Sequence, residues 1–289
     1  MKLILNVDDL GLHPAITRAA LEGIKQGVVT SASVLANGPD IDYIAELAAS
    51  GSFRDISLGA HLNILRGVPI SEPEEIPSLI GDDGIFLGSY TKLFYRYLLG
   101  KVDFGELELE LRGQIKKLQS LGIEPSHLDS EKHIHAWPKL MKLVWRLARE
   151  HNISWVRRPV EPTLPHDWSK NALKARLLGM WCRAETPAGI ASVDAVWGIV
   201  DQGRPSALRF ESRLAAYTGT RIVEAIIHPG LPIAGDPALP RGYQSITADQ
   251  RWLDESASIL ESGWPNMLRL NGIELTNFLE VPAPDKSKV

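Results

Sequence analysis

The sequence predicts an α/β fold built on about seven parallel strands, either a (β/α) barrel of the TIM type or a doubly wound open sheet. Three observations carry that expectation. Short β-branched, apolar runs alternate with longer amphipathic stretches, the pattern of strands joined by crossover helices. The 289 residues suffice for one α/β barrel, which commonly takes about 200 to 250 residues as a single unit. Ionisable residues gather where the strands should end, the place where barrels carry their chemistry.

The strand candidates in chain order are residues 3–7 (LILNV), 28–35 (VVTSASVL), 56–64 (ISLGAHLNI), 126–130 (SHLDS), 153–157 (ISWVR), 192–200 (SVDAVWGIV) and 221–227 (RIVEAII). A helix is expected over 14–27, with Pro14 suited to its first turn and Gly27 to its C-terminal end. A second is expected over 104–122, where Leu107, Leu111, Ile115 and Leu118 repeat at helical spacing. Both are scaffold. The segments 65–88 and 229–245 are long, rich in Pro and Gly, and placed to wall a substrate site. With no internal repeat or linker, 1–289 is expected to be one domain.

Composition narrows the function. A hydrophobic fraction of 44% and a charged fraction of 23% suit a folded globular chain. A net charge of −4 and a pI near 6.1 give no basic footprint for nucleic acid, so a small molecule is the expected partner. The one cysteine, Cys182, has no internal disulfide partner and is expected to pack in a reducing cytoplasm. The apolar run Leu3–Val7 meets Asp8 and Asp9 at once, which is too short for an export signal. No stretch approaches the roughly 20 apolar residues of a membrane span.

Asn6-Val7-Asp8-Asp9-Leu10-Gly11 places two adjacent carboxylates at the end of the first strand. One carboxylate can bind a hard cation while the other takes a proton from an attacking water. The plainer reading is that Asp9 or His13 caps the helix at Pro14. His61, within Gly59-Ala60-His61-Leu62-Asn63, stands alone in its strand, and a lone strand histidine is more often a hydrogen-bonded core group than a ligand. The run His127-Leu128-Asp129-Ser130-Glu131-Lys132-His133-Ile134-His135 holds carboxylates and imidazoles on alternate residues. In extended backbone, positions 127, 129, 131, 133 and 135 share one face, which has metal-site composition. A solvated loop is the alternative. Arg157, in Arg157-Arg158-Pro159, can hold a carboxylate ionised, and His228, in Ile227-His228-Pro229-Gly230, can protonate a leaving amine. Each is also read as a surface cation or a strand terminator.

The segments VDDLGLHPAI, GVVTSASVLANGP, LGAHLNI, PSHLDSEKHIHAWP, RRP and IIHPG, taken in this order, resemble the YdjC-like carbohydrate deacetylase family. That family includes chitooligosaccharide deacetylases and a hopanoid-associated branch. The likeness runs from about residue 3 to the GIELTNFLEV tail. It implies a distorted (β/α) barrel that deacetylates an N-acetylated sugar with one divalent metal ion. Residue by residue, it makes Asp8 the general base, Asp9 and His61 metal ligands, and His228 the acid. The family pattern HxDSHHHxH departs here, since Glu131 stands where a third metal histidine is typical. Glutamate oxygen favours magnesium or manganese, with zinc still open. His133 is the fallback third ligand on an extended strand face. His135 and Arg157 are expected to bind substrate or brace the ligands. A homodimer is compatible with these expectations. The competing expectations are a metal-dependent phosphoesterase and a catalytically silent sugar-binding relative.

Overall fold

The computed structural model describes residues 1–182, 186–243, 249–260 and 263–282. Its strands are β1 (Lys2–Leu10), β2 (Ser31–Val34), β3 (Ser57–Leu62), β4 (His127–Ser130), β5 (Trp155–Val156), β6 (Ala195–Trp197), β7 (Ile222–Ile227) and β8 (Glu274–Leu275). Its helices are α1 (Pro14–Lys25), α2 (Ile41–Ala49), α3 (Tyr90–Leu98), α4 (Phe104–Ser120), α5 (Pro138–Glu150), α6 (Lys170–Trp181), α7 (Ala207–Arg213), α8 (Asp249–Leu260) and α9 (Gly263–Leu270).

The strand order is β5-β4-β3-β2-β1-β7-β6, with β8 beside the start of β1, and every pairing is parallel. The two end strands meet through backbone hydrogen bonds made with the residues that flank them. Val156 N–H donates to Ala191 O at 2.9 Å, Ala191 N–H to Ser154 O at 2.7 Å, and Val196 N–H to Val160 O at 2.9 Å. The seven main strands therefore follow one another round in chain order, a curled and irregular (β/α) barrel rather than an open doubly wound sheet. Parallel strands put all their C-terminal ends on one rim, which is where the site lies.

All seven strand candidates exist, but several are shorter than the apolar runs that signal them. Residues 28–35 pair as a strand only over Ser31–Val34, 153–157 only over Trp155–Val156, and 192–200 only over Ala195–Trp197. Apolar composition marks burial, and the residues flanking these strands are buried without being paired. Helix α1 starts as its sequence predicts: Pro14 is in the first turn, His13 Nδ1 accepts from Ala15 N–H at 3.2 Å, and Gly27 follows the last turn with φ +69°.

The barrel interior is polar near its rim. On alternating inward positions, Asn6 donates to Ser33 Oγ at 2.9 Å and Ser33 donates to Asp129 at 2.7 Å. The outward positions Leu3, Leu5 and Val7 are fully buried against the helices. Gly59 makes room inside the barrel: a Cβ there would lie 2.4 Å from the His127 ring, so no larger residue fits without moving that imidazole. Cys182 is buried and free, as a packing residue should be.

Candidate active site

Two backbone irregularities aim the site residues. Pairing between β1 and β2 slips between Val7 and Leu10, and Asp9 has φ +65°. In a regular strand Asp8 and Asp9 would point to opposite faces. The bulge lets both carboxylates face the same cavity, which measures about 130 Å³. The second irregularity corrects an expectation. The strand face expected to run from 127 to 135 stops at Ser130, and Glu131–Ala136 form a 3₁₀ segment with Lys132 at φ 51° and His133 at φ 58°. Left-handed backbone at two successive non-glycine residues breaks the alternation, so His133 does not share a strand face with Asp129.

The cavity is lined by Asp8, Asp9, His61, Glu131, His133 and His228 among the residues singled out from the sequence. His135 and Arg157 lie behind it. His135 is buried between Ser130 Oγ (2.6 Å) and the Arg157 carbonyl (2.8 Å). That placement makes it a brace rather than a group that touches substrate. Loop 65–88 contributes only Arg66 to the lining, and the described part of 229–245 contributes nothing. The wall comes instead from Lys174 on α6, Gln202, and Arg251, Trp252 and Glu255 on α8. The long loops brace one another. Arg241 pairs with Asp83 at 2.8 Å, and Arg18 on α1 pairs with Asp236.

Arg157 is the hub of the charge network. It grips Asp8 through two hydrogen bonds of 2.8 Å, reaches Asp129 at 2.6 Å, and donates twice to Glu224 at 2.7 and 3.0 Å. All four side chains are buried. Burial pushes the Asp8 carboxyl up, but Arg157, His61 and His228 outweigh it and hold the group well below the usual carboxylate range. Asp8 is therefore ionised at any working pH.

His61 is held from behind. Its Nδ1 lies 2.7 Å from Asp129 and its Nε2 3.2 Å from Asp9. A carboxylate behind one ring nitrogen with the other facing a cavity is how metal-ligating histidines are commonly oriented. Glu131 pairs with Arg66, and burial pushes its carboxyl up to about 7 against the pull of Arg66. Its Oε2 and the Nδ1 of His133 are both buried without a partner, which suits donors facing a cation. Asp8, His61 and Asp129 also offer ligand atoms within 4.8 Å of one another. There the Arg157 guanidinium is shared between both carboxylates. Asp9, His61, Glu131 and His133 all line the cavity, while the described groups whose ligand atoms lie within 4.8 Å of one another are Asp8, His61 and Asp129, and His127, Asp129 and Glu224.

On the far side of the cavity, His228 Nε2 is 3.9 Å from Asp8 and Nδ1 is 3.7 Å from Glu255. Burial would lower its pKa, but Glu255, Asp8 and Asp9 raise it above the ordinary value. Glu255 also accepts from the backbone N–H of His228 and of Gly203. Sequence reasoning left Asp129 without a role and missed Arg66, Glu224 and Glu255. Asp129 was visible in the polar run. The other three are single charges in unremarkable stretches, and only the fold brings them to the rim.

The family model described as YdjC-like protein matches residues 2–269. A carbohydrate deacetylase of Clostridium beijerinckii is 33% identical over 153 residues, 53% of this chain and 58% of that protein. A carbohydrate deacetylase of Listeria welshimeri is 39% identical over 158 residues, 55% of this chain and 61% of that protein. The matched stretch thus spans about three-fifths of the curated relatives' length. A crystal structure from Enterococcus faecalis V583, of a protein with a suggested role in cellobiose-phosphate cleavage, matches with a TM-score of 0.74 at 23% identity. That match covers 96% of this chain and 97% of the other, and it is a likeness of fold. With the family model matched along nearly its whole length, the chain belongs to the YdjC-like family.

Proposed function

We propose that this protein, acting as one barrel domain in the cytoplasm, hydrolyses the amide of an N-acetylated sugar to the free amine and acetate. The observation that carries the reading is the pairing of opposite roles across one small cavity: a permanently ionised carboxylate at Asp8 and a proton-retaining imidazole at His228, 3.9 Å apart. Amide hydrolysis needs a base to take the proton of the attacking water and an acid to protonate the departing nitrogen. The carbohydrate deacetylases among its relatives support a sugar amide as the bond.

Asp9, His61 and Glu131, with His133 as the alternative third donor, would hold a divalent cation, magnesium or manganese before zinc given the carboxylate oxygens. Bound there, the cation would supply polarisation of the acyl carbonyl and acidity to water. The chain's own residues do the rest. Arg157 fixes the Asp8 carboxylate in one orientation and keeps it anionic. Asp129 holds His61 Nδ1 so that Nε2 faces the cavity. Glu255 keeps a proton on His228 and fixes the ring's backbone.

The test is acetate release from a panel of N-acetylglucosamine conjugates by protein loaded in turn with magnesium, manganese and zinc, with an aryl phosphate as control. Acetate from at least one conjugate, lost on chelation, is expected. Phosphate release without acetate would replace the reading with a phosphoesterase. Sugar binding by calorimetry with neither product would replace it with a silent sugar-binding protein.

A further inference from the structure

His127, at the start of β4, is fully buried inside the barrel and has no part in the chemistry proposed above. It sits in a fitted slot. Gly59 on β3 leaves the space that its ring occupies, since a Cβ there would fall 2.4 Å from His127 Nε2, and the Phe278 ring stacks on it with centroids 4.0 Å apart. Ser33 on β2 pairs in register with Gly59. Because Gly59 has no side chain, Ser33 reaches past β3 to both His127 and Asp129 on β4: its Oγ is 3.1 Å from His127 Nε2 and 2.7 Å from Asp129 Oδ2.

Counting hydrogens gives these contacts a direction. A hydroxyl has one hydrogen to donate. Ser33 gives its hydrogen to the Asp129 carboxylate and accepts from Asn6 Nδ2 at 2.9 Å, so His127 Nε2 is the donor at the remaining contact. Burial pushes the His127 imidazole down to about 4, and a neutral ring with its proton on Nε2 accepts at Nδ1. The donor there is Ser126 Oγ, 2.9 Å away. The Leu58 carbonyl, also within reach of that hydroxyl, already accepts from Ser126 N–H at 2.7 Å, which leaves the hydroxyl hydrogen to the ring. The hydrogens thus run one way, from Ser126 through His127 and Ser33 to Asp129, and bonds aligned in a chain strengthen one another. At the end of the chain Asp129 Oδ1 accepts from His61 Nδ1 at 2.7 Å, while Oδ2 is taken by Ser33 and by Arg157, 2.6 Å away. With both oxygens committed, the carboxylate has one orientation. His127, Asp129 and Glu224 also place ligand atoms within 4.8 Å of one another. Arg157 Nη2, however, lies 2.6 and 2.7 Å from the two carboxylates, and His127 Nε2 faces Ser33, so the hydrogen-bond chain accounts for these groups without a second cation.

We infer that His127 is a positioning residue for the reaction: through Ser33 and Asp129 it fixes the ring of His61 with Nδ1 protonated and Nε2 towards the cavity. The inference rests on the reading of His61 as a ligand of the divalent cation. It extends the support of that ligand from one carboxylate to a chain that crosses three strands.

Two measurements on the full chain test it. Nitrogen-15 NMR of histidine-labelled protein at about pH 7 should show His127, assigned by the loss of its signals in H127Q, as the neutral tautomer protonated at Nε2. Titration with manganese alone should give wild-type affinity in H127Q, whose carboxamide can still donate to Ser33. In H127L and in S33A the affinity should fall by about ten-fold, the smaller end of the loss usual when the support of a metal-binding histidine is removed. H127L/S33A should lose no more than S33A, because both changes cut the same chain. Circular dichroism checks folding, and S33A, the smaller change, carries the test if H127L does not fold. A ring protonated at Nδ1 overturns the inference, and so does manganese binding as tight in S33A and H127L as in the wild type. A wild type that takes up no manganese overturns the ligand reading of His61, and the inference with it. Two manganese ions per wild-type chain, falling to one in H127L, would make His127 a ligand and overturn its positioning role.

Discussion

Asp8 and Asp9 are adjacent, yet the bulge at Asp9 gives them separate surroundings, and their replacements should have separate consequences. Asp8→Asn leaves Arg157 still paired with Asp129 and Glu224, so fold and metal content should survive while turnover falls about 10²-fold or more. Near-normal acetate release would remove Asp8 from the role of base. Asp9→Ala and His61→Ala should each cut metal per chain, measured by plasma emission, and unchanged occupancy in both would defeat the ligand assignment. Glu131→His should retain a metal and shift preference towards zinc. The contrast for His228→Gln lies between substrates. Turnover on an N-acetyl sugar should drop far more than on an activated ester, whose leaving group needs no proton; equal losses would point to positioning instead. These candidates were legible because carboxylates and imidazoles at strand ends are rare enough to stand out. Arg66, Glu224 and Glu255 were not, because a lone charge 27 to 67 residues from its partner carries no local sign of what it will touch.

At the scale of elements, the strands were readable and their ends were not. Parallel strands buried on both faces show as apolar runs, but Val28 and Val29 are buried too while lying outside β2, so burial overran pairing. Strand β8 pairs through only two residues, too few for a pattern. The left-handed turn at Lys132 and His133 was unreadable for a stronger reason: positive φ is uncommon for any non-glycine residue, histidine visiting it more often than lysine, and two in succession leave no mark in the sequence. Gly198 is the opposite case, a residue the backbone demands. It follows β6 with φ +120°, and a Cβ there would lie 2.3 Å from the Ile226 carbonyl on β7. Gly198→Ala should combine backbone strain with a clash, on the order of 2 kcal/mol or more, and lower Tm by several degrees in a calorimetric scan. An unchanged Tm would mean the β6–β7 seam relaxes freely.

Taken as a whole molecule, the metal-free protein should show an unusual pH dependence of stability, because six buried groups act in opposition. Burial pushes His127 and His135 down to about 4 and, with Lys174 nearby, His133 well below its ordinary value. Unfolded, each would bind a proton below about 6.5; folded, each refuses it, so their contribution to stability is lost as pH falls from 6.5 towards 4. Burial pushes Glu131, Glu161 and Glu224 up to about 7. The folded chain keeps protons there that the unfolded chain releases, so this contribution is present at low pH and is lost as pH rises from about 4.5 to 7. Between pH 4.5 and 6.5 three groups pull each way, each at roughly 1.4 kcal/mol per pH unit, and stability should stay nearly flat. Below about 4 it should fall, as Asp8 and Asp129 lose ion pairs with Arg157 that outweigh their burial. Above 6.5 it should decline, with the glutamates unopposed and with His61 and His228, both raised by neighbouring carboxylates against their burial, giving up their protons. Urea unfolding in a chelating buffer across pH 4 to 8 measures this curve. His135→Asn removes one opposing group, and stability should then fall with rising pH by about 1.4 kcal/mol per unit through the window. A wild-type slope as steep as that would mean the two sets of buried groups do not balance.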